Sequence, residues 1–134
     1  MVSWFTLISQ YILKACGITK SLLIGDKFHH EIASRGFLRK DVVLGTALVD
    51  MYARCGELVR AREVFNELLF RDVVSYSAII AGYAQYGQVE EALNCFGRMR
   101  NEVVSPNAIT FTCLLKACGS IKLIDKGIYV YNVI

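Results

Sequence analysis

Few of the 134 residues in this chain could do chemistry, and they are scattered. The densest grouping is His29-His30-Glu31, whose side chains could ligate a metal or move a proton. Adjacent residues on a helix point about a third of a turn apart, and no second cluster elsewhere in the chain would converge on them. One histidine is therefore expected to pack and the other to be solvated. The five cysteines, Cys16, Cys55, Cys95, Cys113 and Cys118, are odd in number, and Cys113 to Cys118 lacks the spacing of a zinc knuckle. A glycine-rich phosphate loop, a nucleophile elbow and a paired-carboxylate pattern are all missing from the sequence. The expectation is a protein that is not an enzyme and needs neither cofactor nor metal.

Composition narrows the class further. With 54% apolar residues, 20% charged residues and one proline, the chain has enough nonpolar surface to offset its ordering entropy. A net charge of +3 permits a polyanion partner without demanding one. The longest uncharged run, 73–89, carries two serines, two glutamines, two glycines and three tyrosines, too polar for a membrane span. The residues after Met1 lead straight into an apolar pattern, so the expectation is that this stretch is neither a secretory signal nor a transit peptide.

The positioning elements emerge from internal repetition. Tyr52-Ala53, Gly56, Ala61 and Phe65 recur 31 residues later as Tyr83-Ala84, Gly87, Ala92 and Phe96. A second echo, 102 residues apart, relates the stretch from Leu13 to Gly17 to that from Leu115 to Gly119. Since 102 is not a multiple of 31, the modules differ in length: ends at Asp41, Asp72 and Asn107 give lengths of 31 and 35, which leaves 36 of the 102 for a third. Within a module the apolar spacing is helical: Leu48, Met51-Tyr52 and Cys55, then Leu58, Ala61, Val64-Phe65 and Leu68. Gly56 and Gly87 fall where a left-handed residue closes one helix, and Pro106 follows the second helix as a stop. Each module is thus a helical hairpin. Hairpins that cannot bury their apolar faces alone stack, which predicts an all-α fold, an α-solenoid of antiparallel hairpins with first helices along the inner wall. Tyr52, Tyr83, Phe65, Phe96, Ala61 and Ala92 read as packing residues.

The stretch VVSYSAIIAGYAQYGQVEEALNCFGRMRNEVVSPN, residues 73–107, resembles a pentatricopeptide repeat of the plant type. TALVDMYARCGELVRAREVFNEL, within 42–72, resembles the short module of the alternating long-and-short subclass, and ILKACG with GDKFHHEIASRGF from Gly25 resembles the long one. Tetratricopeptide repeats have a fixed period of 34 and a Trp-Leu-Gly-Tyr pattern absent here. On this resemblance, 1–134 is a single solenoid with modules at approximately 1–41 (atypical, fused long), 42–72 (short), 73–107 (standard) and 108–134 (long, truncated).

The resemblance implies sequence-specific binding of single-stranded RNA, one base per module. In such modules the fifth and last residues face the base edge and the second packs on its plane. These are Ser77, Asn107 and Val74 in the standard module and Thr46, Asp72 and Val43 in the short one. A carboxylate accepts the N1 proton of guanine and an amide donates to N1 of adenine, so Thr46 with Asp72 implies guanine and Ser77 with Asn107 implies adenine. The expected preference is 5'-GA-3' within a longer site. The residues leave open that Asp72 and Asn107 are only helix caps. Asp41 and Thr112 of the long modules are weaker candidates. The resemblance also implies a mitochondrial or chloroplast protein of RNA processing or editing, working with other processing proteins.

One departure limits that reading. VSWFTLISQY from Val2 matches VSYSAIIAGY from Val74 at a shift of 72 residues, so about 30 of an expected 102 are missing at the join into ILKACG. Helical spacing survives across it, predicting one helix from about Ser3 to Cys16, with Phe5 or Gln10 at a reading position to which no base is assigned. The carboxyl end, 121–134, reads as part of a second helix, and neither end has a polar cap. Two readable modules at roughly 1–3 kcal/mol per base make a weak binder once association entropy is subtracted. The alternatives are a helical-repeat protein-interaction scaffold, self-associating through its uncapped ends, and an inactive gene fragment.

Overall fold

The computed structural model describes residues 4–120. The second helix expected over 121–134 and Ser3, the expected start of the amino-terminal helix, lie outside them. Among the described residues there are helices and connections only: α1 (Trp4–Thr19), α2 (Leu22–Ser34), α3 (Phe37–Lys40), α4 (Val42–Arg54), α5 (Leu58–Glu67), α6 (Val73–Gln85), α7 (Val89–Asn101) and α8 (Ala108–Ser120). None is long and apolar enough to cross a membrane. The chain divides into two compact units, Met1–Arg71 and Asp72–Ile134.

In the first unit α1 lies beside α4, α2 packs on both, and α5 folds back on α4. The helix expected across the join is continuous and runs on to Thr19. Its buried side is made of small or slender residues, Thr6, Ser9, Leu13, Cys16 and Gly17. α4 buries Leu44, Leu48, Val49, Met51 and Tyr52, and α5 answers with Leu58, Ala61, Val64 and Phe65, the helical spacing legible in the sequence. Close approach explains Gly45, where a Cβ would collide with the buried side chain of Leu68. Arg71 ends the unit by donating from Nη1 to the carbonyls of Phe65 and Leu68 at 3.1 Å, the first of which also accepts from the Leu68 N–H that closes α5.

In the second unit α6 packs against both α7 and α8. Ile79, Ile80 and Tyr83 of α6 and Ala92, Cys95, Phe96 and Met99 of α7 form its interior, with the Phe96 ring edge-on to Phe111 of α8 at 5.8 Å.

The hairpin turns share one hydrogen-bond pattern. Glu57 N–H donates to the Tyr52 carbonyl, and Gln88 N–H to that of Tyr83, across Gly56 at φ +82° and Gly87 at φ +74°. These are left-handed helix stops of the kind glycine favours. The same bond closes α1, from Ser21 N–H to the Cys16 carbonyl, with Lys20 at φ +57° in the turn. α7 ends at Asn101, well before the expected stop at Pro106. There Val103 N–H donates to Arg100 and Val104 N–H to Met99, and Val103 itself holds φ +58°. The backbone therefore terminates α7 by a left-handed turn at a β-branched residue, and the proline only keeps the following segment extended.

Candidate nucleic-acid interface

Asp41, Asp72 and Asn107 stand immediately before α4, α6 and α8. Asp72 Oδ1 accepts from the Ser75 N–H and the Ser75 hydroxyl, both at 2.9 Å, while Asp72 N–H donates to Ser75 Oγ at 3.4 Å. Asn107 repeats this closed box. Its Oδ1 accepts from Thr110 N–H at 3.1 Å and from Thr110 Oγ1 at 3.0 Å, and its N–H donates to Thr110 Oγ1 at 3.4 Å. Asp41 Oδ1 accepts from the N–H groups of Val43 and Leu44. All three side chains therefore satisfy donors at a helix start, an arrangement worth about 0.5–2 kcal/mol each.

The capping is one-sided. Among the described residues every hydrogen bond to the Asp72 and Asn107 side chains falls on Oδ1, and both residues are exposed. Among the described residues Oδ2 of Asp72 and Nδ2 of Asn107 have no partner. Because a backbone N–H can only donate, the Asn107 atom facing Thr110 N must be the oxygen, which fixes the amide group as the free one.

Ser77 is buried on α6, its hydroxyl 2.8 Å from that of Thr110. Thr110 has a single hydroxyl proton, given to Asn107 Oδ1, so the Ser77 hydroxyl donates to Thr110. Ser77 and Asn107 are thus brought together through one shared threonine. Val74, on the same helix, is exposed, as is Val43 on α4. Thr46 is half-buried on α4 in the first unit, whereas Asp72 begins the second. Thr112 is exposed and donates to the Ala108 carbonyl. Phe5 is used in packing, stacked on Phe37 with the Arg35 guanidinium 4.1 Å from its ring. Sequence reasoning missed Ser75 and Thr110, although Asp or Asn followed three residues later by a hydroxyl was a readable capping signal.

A second polar cluster occupies the first unit. Tyr52 donates its hydroxyl proton to Asp26 Oδ1 at 2.7 Å, so it accepts from His29 Nδ1, also at 2.7 Å. Arg60 Nη1 donates to both Asp26 oxygens, at 2.7 and 2.9 Å. His29 is half-buried and His30 exposed, and both line a cavity of about 390 Å³ with Glu63 and Glu67. Burial outweighs the pull of Glu67 and Asp26 and holds the His29 pKa below its ordinary 6.5. Burial works to raise the Asp26 pKa, but hydrogen bonds from Tyr52 and Arg60 and the Arg60 charge overcome it and bring it below 3.8. Burial, then the Asp26 carboxylate, push the Tyr52 phenol far up.

Comparison with known proteins follows the same repeat pattern. Residues 71–120 match the model of a PPR repeat family and residues 46–73 that of a PPR repeat. The chain is 40% identical over 117 residues to the Arabidopsis thaliana pentatricopeptide repeat-containing protein At3g02330, mitochondrial, covering 87% of this chain and 13% of the relative. It is 39% identical over 120 residues to At3g53360, mitochondrial, from the same plant, covering 90% and 16%. It spans less than a quarter of the length of these curated relatives. Among solved structures it is similar to the pentatricopeptide repeat protein PPR10 in complex with an 18-nt psaJ RNA element. The TM-score is 0.69 at 27% identity, over 81% of this chain and 16% of that one. The likeness to PPR10 from maize has a TM-score of 0.69 at 24% identity, over 98% and 19%.

Proposed function

The chain belongs to the pentatricopeptide repeat family, and from that premise we propose that it binds single-stranded RNA, with 42–72 and 73–107 as its reading modules. Asn107, supported by Ser77, reads adenine, and Asp72, with Thr46, reads guanine. The preferred dinucleotide is 5'-GA-3', with Val43 and Val74 packing on the base planes. The observation that carries this reading is the division of roles within Asn107. Oδ1 is held by Thr110, which fixes the side chain, and Nδ2 is left as a donor for an unprotonated ring nitrogen. Asp72 offers a carboxylate oxygen in the equivalent place, an acceptor suited to the N1 proton of guanine.

An ordered side chain with one free polar atom loses little freedom on contact, so it discriminates at roughly 1–3 kcal/mol per base. Two such contacts leave this chain a weak binder by itself. Relatives named as mitochondrial plant proteins support an organellar setting, and the role proposed for the chain there is in RNA processing or editing.

The experiment grafts 42–107 into a longer array and measures equilibrium binding to oligonucleotides that differ only at the two predicted bases. Asn107→Asp should move the preference at the second base from adenine to guanine by about tenfold or more. Indifference of the grafted array to both bases would remove the proposal.

A further inference from the structure

α1 turns its large apolar residues outward. Trp4 is 80% exposed, Ile8 50% and Tyr11 73%, with Leu7 and Ile18 also open to solvent. The internal repeat shows what this face should meet. At the shift of 72 that relates Val2 to Val74, the residues Trp4, Leu7, Ile8 and Tyr11 correspond to Tyr76, Ile79, Ile80 and Tyr83 of α6, all buried. In α4, 31 residues earlier than α6, the matching Leu48, Val49 and Tyr52 are buried too. Both α4 and α6 fold in a hairpin with a following amphipathic helix, α5 or α7. α2 follows α1, yet it buries only Gly25 and Ile32 and leaves the outward face of α1 uncovered.

We propose that this face of α1 is a docking site for an amphipathic helix of another protein, patterned like α7, and independent of RNA reading. α7 buries Val89, Ala92, Cys95, Phe96 and Met99, a stripe with helical spacing, and carries Glu90 and Glu91 in its first turn. α1 contains no acidic residue, and two exposed cations, Lys14 within it and Lys20 in the turn just after it, lie toward its carboxyl end. A helix running antiparallel to α1 sets its acidic first turn beside those lysines, so charge selects its direction while Trp4, Ile8 and Tyr11 supply the apolar contact.

Trp4 is the chain's one tryptophan, so its fluorescence reports the face directly. The probe is a synthetic peptide of residues 88–102 added to the whole chain. A saturable blue shift is expected. Ile8→Glu or Tyr11→Glu in the chain should weaken it by about tenfold or more, with far-UV circular dichroism unchanged because both sites are exposed. A peptide carrying Phe96→Asp and Met99→Asp should give no shift. The proposal is overturned by a silent Trp4 up to millimolar peptide, or by a shift that survives Ile8→Glu, which would mean the peptide replaces α7 in its own unit. It is also overturned by a peptide-free shift that grows with chain concentration alongside a dimer in sedimentation, since a second copy would then be the occupant.

Discussion

The hydroxyl oxygens of Ser77 and Thr110 lie 2.8 Å apart, 33 residues distant in sequence, and the same threonine holds Asn107 Oδ1 at 3.0 Å. One buried hydroxyl therefore uses its full capacity, accepting from Ser77 and from Asn107 N–H and donating to Asn107. Thr110→Val keeps the shape and strands the Ser77 proton. The expected cost is about 1–3 kcal/mol by urea denaturation. Adding Ser77→Ala should recover part of it, since an apolar pair leaves nothing unsatisfied. A double variant no better than Thr110→Val would deny the coupling.

Val103 sits at φ +58°, where a β-branched residue is strained. Gly36, which ends α2 in the same left-handed way, occupies φ +75° without that cost. Val103→Gly should stabilise the chain by about 1 kcal/mol, the relief of strain exceeding the added freedom of the unfolded state. The side chain is exposed, so no packing is lost. A lowered melting temperature would contradict this.

The His29 pKa is depressed in the folded chain, which therefore binds fewer protons there than the unfolded chain does. Its stabilisation is complete above 6.5 and declines as the pH falls from that value through the folded pKa. The groups facing it are Asp26, Tyr52, Arg60, His30, Glu63 and Glu67. Asp26, also depressed, contributes above 3.8, with its loss following at lower pH. Melting temperature measured against pH should fall on acidification in two stages, and His29→Gln should flatten the first. An unchanged first stage in that variant would assign it elsewhere.

Phe96 is wholly buried and meets Phe111 edge-on. Phe96→Ala should cost about 3–5 kcal/mol, from lost transfer energy and the cavity left behind. Denaturant midpoints check it, and a loss under about 1 kcal/mol would mean the second unit is loosely packed there.

Much of the fold was legible because its causes are local. The apolar spacing of α4 and α5 and the glycines at Gly56 and Gly87 announce a hairpin in plain residue types. The ends of α1 and α7 were not legible in that way, because Lys20 and Val103 adopt the left-handed turn without being glycine. Backbone hydrogen bonds override side-chain preference there, and the sequence leaves no mark of it. Family resemblance singles out Asp72 and Asn107 as candidates, but their restraint by Ser75 and Thr110 depends on which oxygen is used, a matter of geometry. The sequence reads the histidine pair as one packed and one solvated, yet it carries no sign of the phenol that links His29 to Asp26, since Tyr52 reads as core alone.

The closed boxes at Asp72 and Asn107 have an evolutionary corollary. Aspartate and asparagine start a helix about equally well. A single nucleotide change converting one into the other would leave folding nearly untouched while, under the proposed reading, exchanging the letter recognised. Target choice could then drift quickly on a scaffold that selection for stability does not notice.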